Sequence, residues 1–176
     1  MYSDDYSAVI QAAQVKSKFL RENPLGYFMA SMLAGVFVGF GILLIFTAGG
    51  ILNGAPYTKI VMGISFGIAL SLVIMAGSEL FTGNNFVMTA GVLGKSVGWN
   101  DLIKLWIICY AGNWIGSALL ALMFYYGGFT AGPVGEFIAA IAASKMSIPA
   151  FSLFFRGILC NILVCLAVWC SFKLKS

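Results

Sequence analysis

The sequence contains no histidine, and only 9% of its 176 residues are charged. Histidine is the commonest metal ligand and the commonest general base near neutral pH, so its absence weakens every enzyme hypothesis. The shortage of charge excludes an ordinary soluble domain, because such a domain carries roughly a quarter charged residues on its water-facing surface. Hydrophobic residues make up 61% of the chain, which excludes intrinsic disorder. A membrane protein is the class that is left.

Basic residues and cysteines give no sign of nucleic-acid or metal binding. The net charge is +4, but the basic residues are scattered singly between apolar runs and do not cluster on one face. Three of the four cysteines are spaced five residues apart, which is about 140° around a helix, so they do not share a face as metal ligands would. We predict no metal, cofactor, nucleic-acid partner or enzyme activity. The cysteines, which we expect to be small buried apolar residues, are Cys109, Cys160, Cys165 and Cys170.

Long uncharged runs predict several membrane crossings. A helix needs about 20 apolar residues to cross a bilayer core, and four stretches reach that length. The second stretch is interrupted after Glu79 by polar residues, and the part that follows is too short to cross alone. We therefore predict an all-α, polytopic helical membrane protein whose second helix is broken. The predicted transmembrane domain covers residues 27–176, with spans at 27–52, 60–93 (broken), 105–126 and 151–172.

The distribution of lysine and arginine predicts the orientation. These residues favour the cytoplasmic side of a membrane, and with the N-terminus inside, seven fall on cytoplasmic segments and three on outer ones. We predict a multi-pass protein of the plasma (inner) membrane with a cytoplasmic N-terminus. Residues 1–26 are either an amphipathic helix along the inner surface or a tail with weak helicity. The cytoplasmic group is Lys16, Lys18, Arg21, Lys95, Lys104, Lys173 and Lys175, and the outer group is Lys59, Lys145 and Arg156.

Pairs of glycines four residues apart occur in three of the predicted spans. Such pairs let helix backbones approach closely in lipid, so they predict a compact bundle. They report packing and say nothing about chemistry. The pairs are Gly35 with Gly39, Gly63 with Gly67, and Gly112 with Gly116.

The polar string at residues 77–85 is the sharpest local anomaly. Irregular backbone at membrane depth survives only where it is buried in protein or lines a polar cavity. The start of the second half-helix would present free amide N–H groups and a positive dipole end, which suits an anion. The alternative is an ordinary interfacial loop after a complete helix. Glu79 either caps amides of this loop or faces cytoplasmic water, and Gly83 and Asn84 lie where the second half begins.

Two polar residues near the fourth span also stand out. Lys145 precedes the span and would raise the local concentration of anions at a pore mouth, or would only extend towards lipid headgroups. Asn161 lies inside an apolar helix and needs a hydrogen-bond partner, most simply on a neighbouring helix or loop.

Two stretches of the sequence resemble the signature motifs of the formate/nitrite transporter family. One is ELFTG at 79–83, after a glycine-containing apolar helix, and the other is GILCNILVCLAVW at 157–169. NPLG at 23–26 and GN at 112–113 fit the family too. The resemblance covers nearly the whole chain from residue 23 onward. The 157–169 string is closer to nitrite- or hydrosulphide-type members than to formate-type ones.

The resemblance implies an aquaporin-like fold of two inverted three-helix repeats, assembled as a homopentamer with one pore per protomer. It also implies that small monovalent anions, such as formate, nitrite or hydrosulphide, pass through each pore. Family members have six spans, and the fifth supplies a central histidine, whereas this sequence holds four spans and no histidine. We expect the sequence to be an incomplete portion of a longer protein. A complementing second chain, or a degenerate member without transport, would also account for the missing spans.

The resemblance also implies roles for particular residues. Thr82 corresponds to the threonine that the family places at the centre of the pore. Lys145 matches a lysine that draws anions inward, and Asn161 matches the signature asparagine. The narrow apolar constrictions correspond to Phe66 and Val164 on the outer side and to Leu70, Leu80 and Phe81 on the inner side.

The function predicted from these observations is a membrane channel or transporter for small monovalent anions of weak acids. A pore for water or neutral solutes is disfavoured, because no Asn-Pro-Ala pair marks the half-helices and because Lys145 suits anions. A non-conducting membrane scaffold or truncated subunit is a further alternative.

Overall fold

The computed structural model describes residues 2–174, and every regular element in that range is an α-helix. This confirms the all-α prediction. Lys175, which was counted among the cytoplasmic basic residues, lies outside the described residues. In chain order the helices are α1 (Ser3–Glu22), α2 (Pro24–Ile51), α3 (Thr58–Ser65), α4 (Gly67–Ala76), α5 (Phe81–Leu93), α6 (Trp99–Tyr126), α7 (Pro133–Met146) and α8 (Ala150–Lys173).

Four helical stretches are long and apolar enough to cross a membrane, namely α2, α3 with α4, α6 and α8. α5 has 13 residues and α7 has 14, so each is about 20 Å long and too short for a bilayer core of about 30 Å. The second stretch ends at Gly77 in a left-handed conformation, and α5 begins at Phe81. The predicted broken second helix is therefore present, but the break lies at residues 77–80. The polar residues 82–85, which were expected to interrupt the helix, belong to the first turns of α5.

The helices α2 and α6 form the main helix–helix contact of the molecule. A Cβ atom at Gly35 would overlap main-chain atoms of Asn113, and one at Gly116 would overlap main-chain atoms of Met32. The predicted role of glycine pairs in close packing is thus confirmed for α2 and α6. In contrast, a Cβ atom added to either glycine of the pair in α3 and α4 would meet no other atom within 4 Å in the described part of the chain.

The N-terminal segment forms the helix α1, which packs against α5 and α2. Four residues at four-residue spacing are buried on its inner face: Asp5, Val9, Ala13 and Ser17. The buried face shows that α1 is an integral part of the bundle. Its first turn is joined to the end of α8 by an ion pair of 3.4 Å between Asp5 Oδ2 and Lys173 Nζ.

The helix α8 has a largely exposed surface within the described residues. It packs against α5 and, less extensively, against α1. For this reason the expectation of four buried cysteines is wrong for this helix. Cys109 in α6 is buried, but Cys160 and Cys170 are exposed and Cys165 is half-buried.

The glycine contacts lead to a stability prediction. Gly116→Ala should lower the free energy of unfolding by about 1–3 kcal/mol, because the added methyl group must displace the main chain of α2. Gly63→Ala is the matched control, since its Cβ meets open space and alanine favours the helix. Thermal unfolding of both purified variants in the same detergent measures the difference. Equal melting temperatures would contradict the tight α2–α6 contact.

Candidate functional site

The break between α4 and α5 consists of residues 77–80 and is tied to neighbouring main chain. Gly77 adopts φ = +73°, a left-handed conformation that glycine reaches without steric cost and that ends the helix. Ser78 N donates to Val73 O at 3.1 Å, and Glu79 N donates to Ala30 O of α2 at 3.2 Å. The loop is therefore held by both the preceding helix and α2.

Asn113 of α6 holds the other polar groups of the break. Its Nδ2 donates to Glu79 O and to Ser31 O, each at 2.8 Å. Its Oδ1 accepts from Phe81 N, the first amide of α5, at 2.9 Å. One amide side chain thus joins α2, α6 and both sides of the break. It pairs main-chain groups that would otherwise be costly to leave unpaired away from water.

The carboxylate of Glu79 is the charged centre of the break. Both of its oxygens lie 2.7 Å from Lys16 Nζ of α1, and the two side chains are only 21% (Lys16) and 12% (Glu79) exposed. Asn84 Nδ2 and Tyr27 OH donate to Oε2 at 2.9 and 3.2 Å. Among the described residues, the Glu79 carboxylate accepts no hydrogen bond from a loop amide, and its side chain is only 12% exposed. Neither of the two alternatives predicted for Glu79 is therefore correct. Glu79 is a largely buried carboxylate with a cationic partner.

A second set of contacts fixes the donors of this carboxylate. Asn84 is 2% exposed and Tyr27 is fully buried. Asn84 Nδ2 lies 3.0 Å from Tyr27 OH, and Asn84 O accepts from Trp106 Nε1 at 3.4 Å. Cys109 Sγ donates to Glu79 O at 3.2 Å. Helices α1, α2, α5 and α6 all contribute to this network, so the break is rigidly placed.

An open cavity of about 1000 Å³ lies between α5 and α8. Phe81, Thr82 and Asn85 of α5 and Asn161 of α8 line it, together with apolar side chains. Thr82 follows directly on the residue that Asn113 holds. The cavity therefore brings the predicted pore threonine and the signature asparagine to the same space.

Two polar atoms of this region lack partners. Asn85 Oδ1 and Asn161 Oδ1 are buried and have no hydrogen-bond partner within residues 2–174. Asn161 Nδ2 bonds Cys165 Sγ at 3.5 Å in its own helix. The expectation of a partner on a neighbouring helix or loop is thus wrong for the described residues.

A second cavity, of about 280 Å³, is lined by the break itself. Leu70 of α4, Leu80 and Gly83 line it, together with Glu79 and Asn84. Two of the three residues predicted for the inner constriction therefore lie here, whereas the third, Phe81, lines the larger cavity.

Three predicted pore residues line neither cavity. Phe66, at the junction of α3 and α4, is 38% exposed. Val164 is half-buried on α8, and Lys145 is exposed in the last turn of α7. The roles of these three residues stay predictions.

Two main-chain amides at the start of α5 are free to donate hydrogen bonds. Phe81 N is held by Asn113, whereas Thr82 N and Gly83 N have no hydrogen-bond partner in the described range. The first turn of a helix carries free amides and a partial positive charge, so it favours an anion.

Three residues of the site were not predicted from the sequence, namely Lys16, Tyr27 and Asn113. A polar amide in an apolar span was the available signal for Asn113. Lys16 and Tyr27 carried no comparable local signal, because their partner Glu79 lies 63 and 52 positions further along the chain.

An interrupted helix whose main chain is buried in protein is an architecture of membrane transport proteins. The chain matches the family model described as formate/nitrite transporter over residues 3–176. It belongs to the formate/nitrite transporter family, as the sequence motifs had indicated.

Individual relatives agree with this assignment. The chain is 41% identical to the nitrite transporter NirC of Escherichia coli K12, over all of this chain and 66% of that protein. It is 34% identical to the formate channel FocA of Haemophilus influenzae, over 88% of this chain and 56% of that protein. A solved structure of an "FNT family ion channel" superposes with a TM-score of 0.92 at 40% identity, covering 97% of this chain and 69% of the other. The chain thus spans about two thirds of the length of NirC.

The clamp formed by Asn113 leads to a second prediction. Asn113→Ala should lower the free energy of unfolding by about 2–4 kcal/mol, because Phe81 N loses its partner and two carbonyl groups lose a donor. Asn100→Ala, at an exposed position of the same helix, is the control and should change stability little. Thermal unfolding in detergent measures both variants. If Asn113→Ala melted with the control, Asn113 would not be what holds the break.

Proposed function

We propose that this chain contributes to a membrane channel for small monovalent anions of weak acids, with nitrite, formate and hydrosulphide as the candidate substrates. We further propose a homopentamer in the plasma membrane, with the N-terminus in the cytoplasm. The names of the relatives support the substrate class, since they include a nitrite transporter and a formate channel. The excess of basic residues on one set of loops supports the orientation.

The observation that carries this proposal is the placement of Thr82. The break ends at Leu80, two residues before Thr82, and Asn113 holds the intervening residue, Phe81, by its main-chain amide. Thr82 lines the cavity between α5 and α8, and the amides of Thr82 and Gly83 have no hydrogen-bond partner in the described range. A hydroxyl donor and a helix N-terminus together form a surface suited to a small anion.

Apolar constrictions and a polar centre account for selectivity. An unpaired charge costs several kcal/mol or more in a dry apolar constriction, so hydrated ions are excluded. The anion of a weak acid escapes this barrier when it becomes the neutral acid. Thr82 and the α5 amides would hold the anion between constrictions, where its protonation is decided. The chain contains no histidine, and we assign no proton donor within it.

Lys145 would act before the anion enters. It is exposed in the last turn of α7, next to the start of α8. A positive charge on the outer side raises the local concentration of anions and so raises the rate of entry. Because the residue is exposed, this contribution should weaken as the ionic strength rises.

The role of Thr82 is tested by anion flux. Thr82→Val keeps the shape of the side chain and removes the hydroxyl donor, so flux of nitrite or formate should fall roughly ten- to a hundredfold, as expected for a lost hydrogen bond to a charged group. Thr47→Val makes the same change in α2, away from both cavities, and should leave flux unchanged. Purified protein reconstituted in liposomes is assayed with nitrite, formate and hydrosulphide in turn.

Three results would count against the proposal. An unchanged flux in Thr82→Val would remove this residue from the anion path. Passage of glycerol at the rate of nitrite would identify a neutral-solute pore. No flux of any of the three anions through an assembled wild-type protein would favour the non-conducting scaffold.

A further inference from the structure

A third cavity, of about 670 Å³, lies away from the break, between α1 and the loop that joins α5 to α6. The anion path proposed above does not use it. The side chains that define it come from the last turns of α1, from the loop and from the first turn of α6: Ser17, Lys18, Arg21, Lys95, Trp99 and Asp101.

Positive charge predominates around this cavity. Lys18, Arg21 and Lys95 line it, and all three are exposed. Arg21 and Lys95 form no ion pair with a described residue, and Lys18 lies 3.8 Å from Glu22 with both side chains 67% exposed. Such an exposed pair is weak. Three basic groups are therefore available to one anionic ligand.

Among residues 2–174, Asp101 is the single carboxylate on the cavity wall. Its Oδ2 accepts from Gly98 N at 3.4 Å and so caps the start of α6. This carboxylate opposes an anion but does not cancel three cations. The cavity keeps a net positive charge.

The cavity lies where the membrane-crossing helices begin. α2 starts at Pro24, directly after α1, and α6 starts at Trp99 on the cavity wall. The large apolar side chain of Trp99, on the cavity wall, is 65% exposed. Tryptophan is enriched at the headgroup level of membranes. A ligand with an anionic head and an apolar tail would meet complementary surfaces here.

Lys95 occupies its place at a conformational cost. It adopts φ = +55° and is the only non-glycine residue with a positive φ among residues 2–174. Glycine is the usual residue at this position after the end of a helix, because the position requires a positive φ. The following amide then bonds back to the helix, and here Ser96 N donates to Gly91 O at 2.9 Å. Strained residues of this kind are found at ligand clamps among other sites. The turn that ends α5 thus places a lysine on the cavity wall.

We propose that this cavity binds the phosphate headgroup of an anionic phospholipid, with Arg21 and Lys95 as its main ligands. In the proposed orientation the lipid belongs to the cytoplasmic leaflet. Basic pockets between helices on that side are a recurrent form of anionic-lipid site. The proposal does not depend on which anion the protein conducts.

Native mass spectrometry of the full chain in detergent, titrated with phosphatidylglycerol or phosphatidylcholine, tests the site. Arg21→Gln with Lys95→Gln should weaken phosphatidylglycerol binding about tenfold or more, since each basic group contributes substantially to binding an anionic headgroup. The control, Lys59→Gln with Arg156→Gln, also removes one lysine and one arginine charge but at other positions, and it should have little effect on phosphatidylglycerol binding. Phosphatidylcholine should bind all three proteins equally weakly.

Asp101→Asn supplies a second test that misfolding cannot imitate. Asparagine keeps an oxygen acceptor for Gly98 N and removes the opposing charge, so phosphatidylglycerol should bind more tightly. The proposal is overturned if Arg21→Gln with Lys95→Gln binds like wild type, if the control pair weakens binding equally, or if Asp101→Asn brings no gain. Displacement of the lipid by inorganic phosphate at equal concentration would identify a free-phosphate site and would also overturn it.

Discussion

A polypeptide that leaves the helical conformation inside a membrane must find partners for its main-chain groups within the protein, because hydrocarbon offers none. The break at residues 77–80 meets this constraint through its neighbours. Ala30 O accepts a hydrogen bond from Glu79 N. Asn113 accepts one from Phe81 N through its Oδ1 and donates one to Glu79 O through its Nδ2. The start of α5, and with it Thr82, is fixed by these few hydrogen bonds.

The remaining architecture brings those partners within reach. Gly35 and Gly116 allow α2 and α6 to touch main chain to main chain, which sets Asn113 against both Ser31 O and Glu79 O. A buried carboxylate needs a charge partner or dense hydrogen bonding. Lys16 supplies the charge, so α1 is coupled to the break as well. Close helix packing, hydrogen bonding of main-chain groups and charge pairing therefore all stabilise the short segment at residues 77–80.

Local pattern predicted part of this arrangement. Long apolar runs predicted the helices, and the polar string after Glu79 predicted the break, because both signals lie within a few consecutive residues. The ion pair of Lys16 with Glu79 joins residues 63 positions apart, and no periodicity encodes such a contact. The hydrogen-bond environment of Asn161 was predicted incorrectly for a different reason. Its environment depends on what covers α8, and within residues 2–174 its Oδ1 has no partner.

We propose that the clamped break builds an anion site at the start of α5. Anomalous diffraction from crystals of the protein soaked in bromide, a heavy monovalent anion, locates such a site directly. We expect a bromide peak within hydrogen-bonding reach of Thr82 Oγ and of the amides of Thr82 and Gly83. Peaks confined to surface lysines and arginines, with none at the break, would contradict it.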